Sequence, residues 1–210
     1  MKTLLQINTS IFSNAGESSR LAGKLVAQWR QSNPDGRVVS RDFAADPIPH
    51  ITAERFLSFL AKPGERTPAQ REVIDFSDAL IAELEAADVI VLGLPMYNFG
   101  VPSTLKAYFD HIARAGKTFR YTEKGPQGLL TGKKAIVLAT RGGVHAGMPH
   151  DTETSYVRDF LRFLGIDDVE FVYAEGLAMG EAAKTDALRK ADIAIGAISA
   201  RNNSQVAIAA

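Results

Sequence analysis

The chain has 210 residues, of which 46 % are hydrophobic and 23 % charged, and its 24 basic and 24 acidic residues give a formal net charge of zero. This size and composition predict one large globular domain rather than a disordered chain, and the balanced charge argues against nucleic acid or an anionic membrane as a partner. The complete lack of cysteine excludes thiol nucleophiles, cysteine-ligated metals and disulfides.

The first residues do not form a targeting or membrane segment. Gln6 and Asn8 interrupt the short apolar run before it reaches the length of a signal peptide. The sequence contains no stretch of about 18 apolar residues, which a membrane-spanning helix requires. We therefore expect a cytoplasmic protein with no membrane contact.

Short apolar runs alternate with helical periodicity along the chain. Strands are predicted at residues 4–7, from 38, and at 88–94, 135–140 and 170–173. Helical patterns follow around residues 21–29, 72–86, 105–115, 156–164 and 181–199. Such alternation predicts a parallel sheet with helices on both faces, and five strands fit the doubly wound order 2-1-3-4-5. We expect one domain over residues 1–200 and a frayed tail at 201–210.

Residues 42–68 are the irregular part of this pattern. The segment has four prolines and an apolar run at 56–60, and it is long for a connection between a strand and a helix. It is interpreted as a lid or a dimer element, with local core packing as an equal alternative.

In doubly wound sheets, ligands bind where the strands end beside the switch in strand order, which here selects residues 8–18, 95–103 and 140–150. The first loop is rich in hydroxyls and opens a helix, whose N-terminus attracts phosphate. Ser10 and Ser18 could add hydroxyl donors, and the side chain of Glu17 should point away. The alternative is that Ser18 or Ser19 only caps the helix. Glycine-rich dinucleotide and nucleotide-triphosphate signatures do not occur.

The second loop contains Tyr97 and Phe99, and the third contains a glycine pair, Gly142 and Gly143, that permits close approach of a ligand. Together with a phosphate cradle, these loops would suit a planar heterocycle on a phosphorylated tail, the shape of FMN. Individually, the aromatic residues could be core residues and the glycines a plain turn.

These residues carry a resemblance. The chain resembles the bacterial FMN-dependent NADH-azoreductases, a branch of the flavodoxin-like quinone reductases, over nearly its whole length. The resemblance rests on residues 9–11, 92–106, 116–122 and 140–143. The run Pro-Met-Tyr-Asn-Phe at 95–99 and its continuation through Val-Pro-Ser-Thr-Leu-Lys are its most specific part.

The resemblance implies a flavodoxin-like fold and a set of FMN-binding residues. Ser10 and residues 16–18 would hold the phosphate, and residues 96–99 and 140–143 would line the isoalloxazine ring. The expected cofactor-binding residues are Ser10, Gly16, Glu17, Ser18, Pro95, Met96, Tyr97, Asn98, Phe99, Thr140, Arg141, Gly142 and Gly143. One departure is Gly16, which stands where the family usually has the first serine of a Ser-x-Ser pair.

The resemblance also implies the chemistry. NADH would reduce bound FMN and leave, and a quinone or an aromatic azo compound would then take its place in a ping-pong cycle. Family members are homodimers whose subunits both frame each site. Phe99, Tyr121 and Phe163 are the candidate walls for flat acceptors.

Individual groups at the ring can be assigned roles. Backbone amides of Gly142 and Gly143 could stabilise negative charge near N1 and O2, and a main-chain amide near Asn98 is expected to face N5 or O4. His145 is the candidate proton or hydrogen-bond donor, with an ordinary loop histidine as the alternative. No metal is expected, because the grouping of His145, His150 and Asp151 is a weak signal.

Two alternative functions stay open. An NADPH-dependent FMN reductase would release its flavin, and a non-enzymatic flavodoxin-type electron carrier would need an acidic docking surface, which a net charge of zero disfavours. A phosphorylatable receiver domain is excluded, because Asn8-Thr9-Ser10 and Pro95-Met96 stand where it needs acidic residues.

Overall fold

A computed structural model describes the backbone of residues 1–208 and the side chains up to residue 201. Five parallel strands form one sheet, and a separate two-stranded hairpin accompanies it. The strands are β1 Thr3–Asn8, β2 Arg37–Asp42, β3 Val89–Pro95, β4 Phe119–Thr122, β5 Gly125–Gly128, β6 Lys134–Thr140 and β7 Asp168–Ala174. The helices are α1 Glu17–Ser32, α2 Ala53–Leu60, α3 Pro68–Ala86, α4 Ser103–Ile112, α5 Thr152–Phe163 and α6 Glu181–Ile208.

The order of strands in the large sheet is β2-β1-β3-β6-β7. This numbering differs from the predicted 2-1-3-4-5. The fourth and fifth strands along the chain, β4 and β5, form the separate antiparallel hairpin, so the last two strands of the large sheet are β6 and β7. Each hairpin strand has four residues, and Gly125, Pro126 and Gly128 lie in the second of them. Such a short strand with glycine and proline lacks the apolar run by which the other strands were predicted.

Helices cover both faces of the sheet and form two apolar cores. Leu21, Leu25 and Trp29 of α1 pack with Ile195 of α6 on one face, and α3, α4 and α5 supply the core on the other. The central strands β3 and β6 are consequently almost wholly buried, as a parallel sheet with two covered faces requires.

The ends of several elements differ from the predicted positions. Helix α6 continues to Ile208, past the predicted end at 199, so residues 201–208 of the predicted frayed tail are helical. Positions 209 and 210 of that tail lie outside the described residues. Among residues 1–208, no helix is long and apolar enough to cross a membrane.

The irregular segment 42–68 contains the short helix α2. Three large apolar side chains of this helix are exposed, Phe56 at 54 %, Leu57 at 57 % and Leu60 at 65 %. Local core packing therefore does not account for them. Phe59 is different, because its ring lies 5.0 Å from the Arg114 guanidinium and edge-on to His111.

Candidate functional site

Three loops meet at one edge of the sheet, where β1, β3 and β6 end side by side. Asn8 pairs with Gly93 and Pro95 with Thr140, so these three strands end at nearly the same level. The amide of Met96 donates to the carbonyl of Thr140 at 2.9 Å. The predicted site segments are thus neighbours in space.

The first loop leads into α1 and leaves two serine hydroxyls without partners. Gly16 is the N-cap residue, and it makes no side-chain capping bond. Ser18 and Ser19 lie inside the first turn, 0 % and 4 % exposed, and neither hydroxyl has a hydrogen-bond partner among the described residues. The helix-cap interpretation of these serines therefore does not fit. Because a buried unpaired hydroxyl is costly, its presence beside free helix amides indicates a place for a polar ligand, an anion above all.

Gly16 lies so close to Ser10 that no other residue fits without movement. A Cβ added at position 16 would lie 2.1 Å from the Ser10 hydroxyl and 2.6 Å from its Cβ. Ser10 is 2 % exposed, and its Oγ accepts a hydrogen bond from the Phe12 amide at 3.2 Å. The glycine at position 16 thus makes room for Ser10.

The Glu17 carboxylate is directed to other side chains, as expected. It lies 3.0 Å from Lys184 at the start of α6 and 3.7 Å from Arg20. The close approach of α1 to β3 depends on Gly93, where an added Cβ would come within 3.1 Å of the Ser18 carbonyl oxygen.

The second loop is a tight turn with a strained backbone. Tyr97 and Gly100 exchange two backbone hydrogen bonds of 3.0 Å, and the residues between them, Asn98 and Phe99, have φ values of 50° and 64°. Consecutive positive φ values are costly for residues other than glycine and concentrate at functional sites. The turn leaves the amides of Asn98 and Phe99 at its tip, outside its own pairing. The Tyr97 hydroxyl accepts from the Ile11 amide at 3.3 Å and so links the first two loops.

The third loop is bonded to the end of β7 and the residues after it, beginning with the Arg141 amide, which donates to the Ala174 carbonyl at 3.0 Å. The carbonyls of Arg141, Gly142 and Gly143 accept from the amides of residues 177, 178 and 176, respectively, at 2.8–3.1 Å. Within the described part of the chain, the amides of Gly142 and Gly143 have no partner. These two free amides are therefore available for the predicted contact with the edge of the flavin ring that becomes negatively charged on reduction.

His145 lies between the second and third loops. Its ring centroid is 5.6 Å from that of Phe99, edge to face, and its Nε2 packs against Gly143, where an added Cβ would be 3.0 Å away. Its Nδ1 is buried and has no partner among residues 1–201. The ring therefore has a fixed place in the candidate site and an unused polar atom there.

The Arg141 side chain is fully buried and turned away from the loop surface, into a group of carboxylates. It lies 2.9 Å from Asp151, 3.2 Å from Glu153 and 3.1 Å from Glu175. The Tyr173 ring packs 5.2 Å from the guanidinium carbon. Only the backbone of Arg141 can thus contribute to the site surface. Sequence patterns did not reveal this cluster, because its acidic members come from two distant segments, the start of α5 and the residue after β7.

Two carboxyls of the cluster, Asp151 and Glu153, have pKa values shifted in opposite directions. Burial raises the pKa of Glu153 to about 7 against the opposing effect of Arg141, and its Oε1 is buried without a partner in the described structure. Asp151 is partly desolvated too, but hydrogen bonds from Thr154 and Arg141 hold its pKa below the usual value. Of these two carboxyls, Glu153 is therefore the one that keeps its proton to higher pH.

The predicted acceptor walls are not brought together within one chain. Phe99 is 61 % exposed, and its carbonyl accepts from Thr152 at the start of α5. Phe163 is the last residue of α5. At a rise of 1.5 Å per residue, it lies about 16 Å along the helix axis from Thr152. Tyr121 is 77 % exposed and belongs with Phe163, since both rings pack on Phe119. The sequence could not reveal this separation, because it depends on the direction of α5 across the sheet.

His111 is a structural histidine, whose Nε2 donates to the Pro49 carbonyl at 3.0 Å and whose pKa is lowered by burial. The described residues contain no group of three or more His, Asp or Glu side chains placed to hold a metal ion.

Comparison with known sequences identifies close relatives. Residues 1–198 match the model of a protein family described by its flavodoxin-like fold. The FMN-dependent NADH:quinone oxidoreductase of Cellvibrio japonicus is 53 % identical over 193 residues, which are 92 % of this chain and 97 % of the relative. FMN-dependent NADH:quinone oxidoreductase 6 of Burkholderia lata is 52 % identical over 197 residues, 94 % of this chain and all of the relative.

Solved structures show the same fold. An FMN-dependent NADH-azoreductase from Bacillus anthracis, solved in complex with FMN, superposes with a TM-score of 0.87 at 26 % identity and covers 97 % of this chain and 100 % of its own. The azoreductase AzrA gives a TM-score of 0.84 at 25 % identity over 95 % of this chain and 99 % of its own.

Proposed function

The chain belongs to the family with a flavodoxin-like fold that its residues 1–198 match, and on that basis we propose that it is an FMN-dependent NADH:quinone oxidoreductase that also reduces aromatic azo compounds. The names of its relatives at 52–53 % identity support the quinone reductase activity and the use of FMN and NADH. The azoreductases of the same fold support the azo activity.

The observation that carries the proposal is the pair of buried, unpaired hydroxyls of Ser18 and Ser19 under the uncapped start of α1. A phosphate there would accept from helix amides and from these hydroxyls, with no basic residue required. Glu17 adds only its amide, since its carboxylate is paired with Lys184. The residues thus fit the phosphate of FMN.

The other two loops suit the ring. The amides at the tip of the Asn98–Phe99 turn and those of Gly142 and Gly143 offer donors from two sides. FMN, when bound, supplies the transfer of an electron pair between NADH and the acceptor. The protein's part is to orient the ring and to place donors where negative charge develops on reduction.

His145 is assigned the role of proton or hydrogen-bond donor at the ring edge. The His145 side chain lies beside Gly143 of the third loop and contacts the ring of Phe99 in the second loop. We propose that NADH and the acceptor occupy the same place over the flavin ring in turn, which would give ping-pong kinetics.

The active form is proposed to be a homodimer in which each subunit completes the other's site. Tyr121 and Phe163 can wall the acceptor only if they come from a second copy, because α5 separates them from Phe99 in their own chain. The exposed apolar residues of α2 support an interface between copies.

Steady-state kinetics test the reaction. The oxidation of NADH by protein loaded with FMN is measured against a series of quinone concentrations at several fixed NADH concentrations. Parallel double-reciprocal lines and cleavage of an aromatic azo dye are expected. Lines that intersect would contradict the ping-pong order, and a lack of turnover with quinone, azo dye and both nicotinamides would contradict the enzymatic function.

A further inference from the structure

Glu175, the residue after β7, is a junction between the buried arginine and the third loop. Its Oε1 accepts from three donors, Arg141 Nη1 at 3.1 Å, the His145 amide at 2.8 Å and the Ala146 amide at 2.9 Å. The side chain is only 14 % exposed. One buried oxygen thus joins the strand edge to the backbone that carries His145.

The rest of the loop explains why this contact matters. The hydrogen bonds to residues 176–178 fix the loop from Arg141 to Gly143 and end there. Beyond Gly143, the contacts of the loop backbone with β7 and its following residue are those of the His145 and Ala146 amides with Glu175. These two hydrogen bonds therefore hold the part of the loop that carries His145.

The Arg141 side chain in turn fixes Glu175. The guanidinium is fully buried, makes two hydrogen bonds with Asp151 and is also bonded to Glu153 and the Thr154 hydroxyl. Groups held by several charge-assisted bonds have little freedom to move. The Glu175 oxygen is therefore at a fixed point relative to β6 and β7.

We propose that Glu175 is a positioning residue of the flavin site, which acts through the His145 and Ala146 amides to fix the His145 ring beside Gly143 and Phe99. The role depends on the length of the side chain and on its acceptor oxygen, and not on its charge. The inference rests on the proposed function, because only that function gives the His145 ring a role at the flavin.

Two variants separate position from charge. Glu175→Gln keeps the length and the acceptor oxygen but removes the charge, whereas Glu175→Asp keeps the charge and is one methylene too short to meet both amides and Arg141. The control is Glu170→Gln in β7, whose carboxylate pairs with Lys134 and Arg201 at a partly exposed position.

The first readout is hydrogen exchange at the His145 and Ala146 amides in flavin-free protein, and the second is the Kd for FMN. In Glu175→Asp, exchange is expected to be at least tenfold faster and the Kd about tenfold higher. Glu175→Gln and Glu170→Gln should remain within threefold of the wild type in both. The inference is overturned if Glu175→Gln is impaired as much as Glu175→Asp, or if Glu175→Asp matches the control.

The two proposals fail in different ways. Absence of FMN binding by the wild-type protein would remove the proposed function. Unchanged exchange at residues 145–146 in Glu175→Asp would remove the role of Glu175 while leaving flavin binding intact.

Discussion

The buried carboxyl of Glu153 shares the guanidinium of Arg141 with two other carboxylates, so the cluster holds more acidic than basic groups. Burial of an incompletely paired charge is the most costly arrangement in such a cluster. The cluster avoids this cost because Glu153, whose pKa is raised to about 7, stays protonated at lower pH. Residues of this kind link stability to pH.

Replacing Glu153 by Gln is expected to flatten the pH dependence of stability. The folded pKa of about 7 lies above the reference value of 4.5, so the native state binds the proton more tightly and the free energy of unfolding falls as pH rises from about 4.5 to about 7. The shift corresponds to about 3 kcal/mol. Asp151, with a lowered pKa, contributes its stability throughout this range.

Urea unfolding of wild type and Glu153→Gln at a series of pH values measures the difference. The variant should gain on the wild type as pH rises from about 4.5 to about 7 and keep that gain at higher pH. The comparison of the two proteins removes the opposite contribution of His111. A constant difference between pH 5 and 8 would show that Glu153 does not titrate there.

His145→Ala should lower kcat for quinone reduction by on the order of a hundredfold, the lower end of what a positioned proton donor contributes. The kinetics are measured at saturating FMN, so that a change in the Kd for FMN does not lower kcat. The matched control is His50→Ala, an exposed histidine outside the three loops. Equal kcat values for the two variants would leave His145 as an ordinary loop residue.

At the level of elements, the sequence predicted the loops that meet at the sheet edge but not the packing inside them. The strand ends, and hence the three site segments, follow from apolar runs that parallel burial requires. The unusual Gly16 was visible in the sequence, yet its reason was not. Only the distance to Ser10 shows that the glycine makes room for a neighbouring side chain.

A matched pair of glycine variants tests this packing. Gly16→Ala should cost about 1–3 kcal/mol, as overpacking does, and should raise the Kd for FMN, because Ser10 must move. Gly23→Ala in the same helix meets no atom within 4 Å and should instead stabilise the protein by about 0.5–1 kcal/mol. Thermal unfolding and FMN titration measure both effects. Identical behaviour of the two variants would contradict the assigned role of Gly16.

At the scale of the whole molecule, the alternation of strands and helices predicted the parallel sheet. The β4–β5 hairpin was not predicted, because short strands with glycine and proline carry no apolar signal. The positions of Tyr121 and Phe163 were also beyond prediction, since they depend on how α5 crosses the sheet. The buried Arg141 cluster likewise forms only after β6, α5 and the end of β7 have come together.

The proposed homodimer predicts a mass and a kinetic effect that can be measured. Sedimentation should give a mass of about 45 kDa, twice the 22.7 kDa of one chain. Phe163→Ala should raise the KM for quinone severalfold without changing the Kd for FMN, whereas Ile193→Ala, an exposed apolar residue on α6, should change neither. A monomer of full activity would contradict the shared site.

The visible spectrum of the purified protein, recorded after FMN is added and the excess removed, tests the central claim most directly. The account predicts the bands of oxidised flavin, their bleaching by NADH without oxygen, and their return when a quinone is added. A protein that retains no flavin bands after this treatment, or whose bands NADH leaves unchanged, would contradict it.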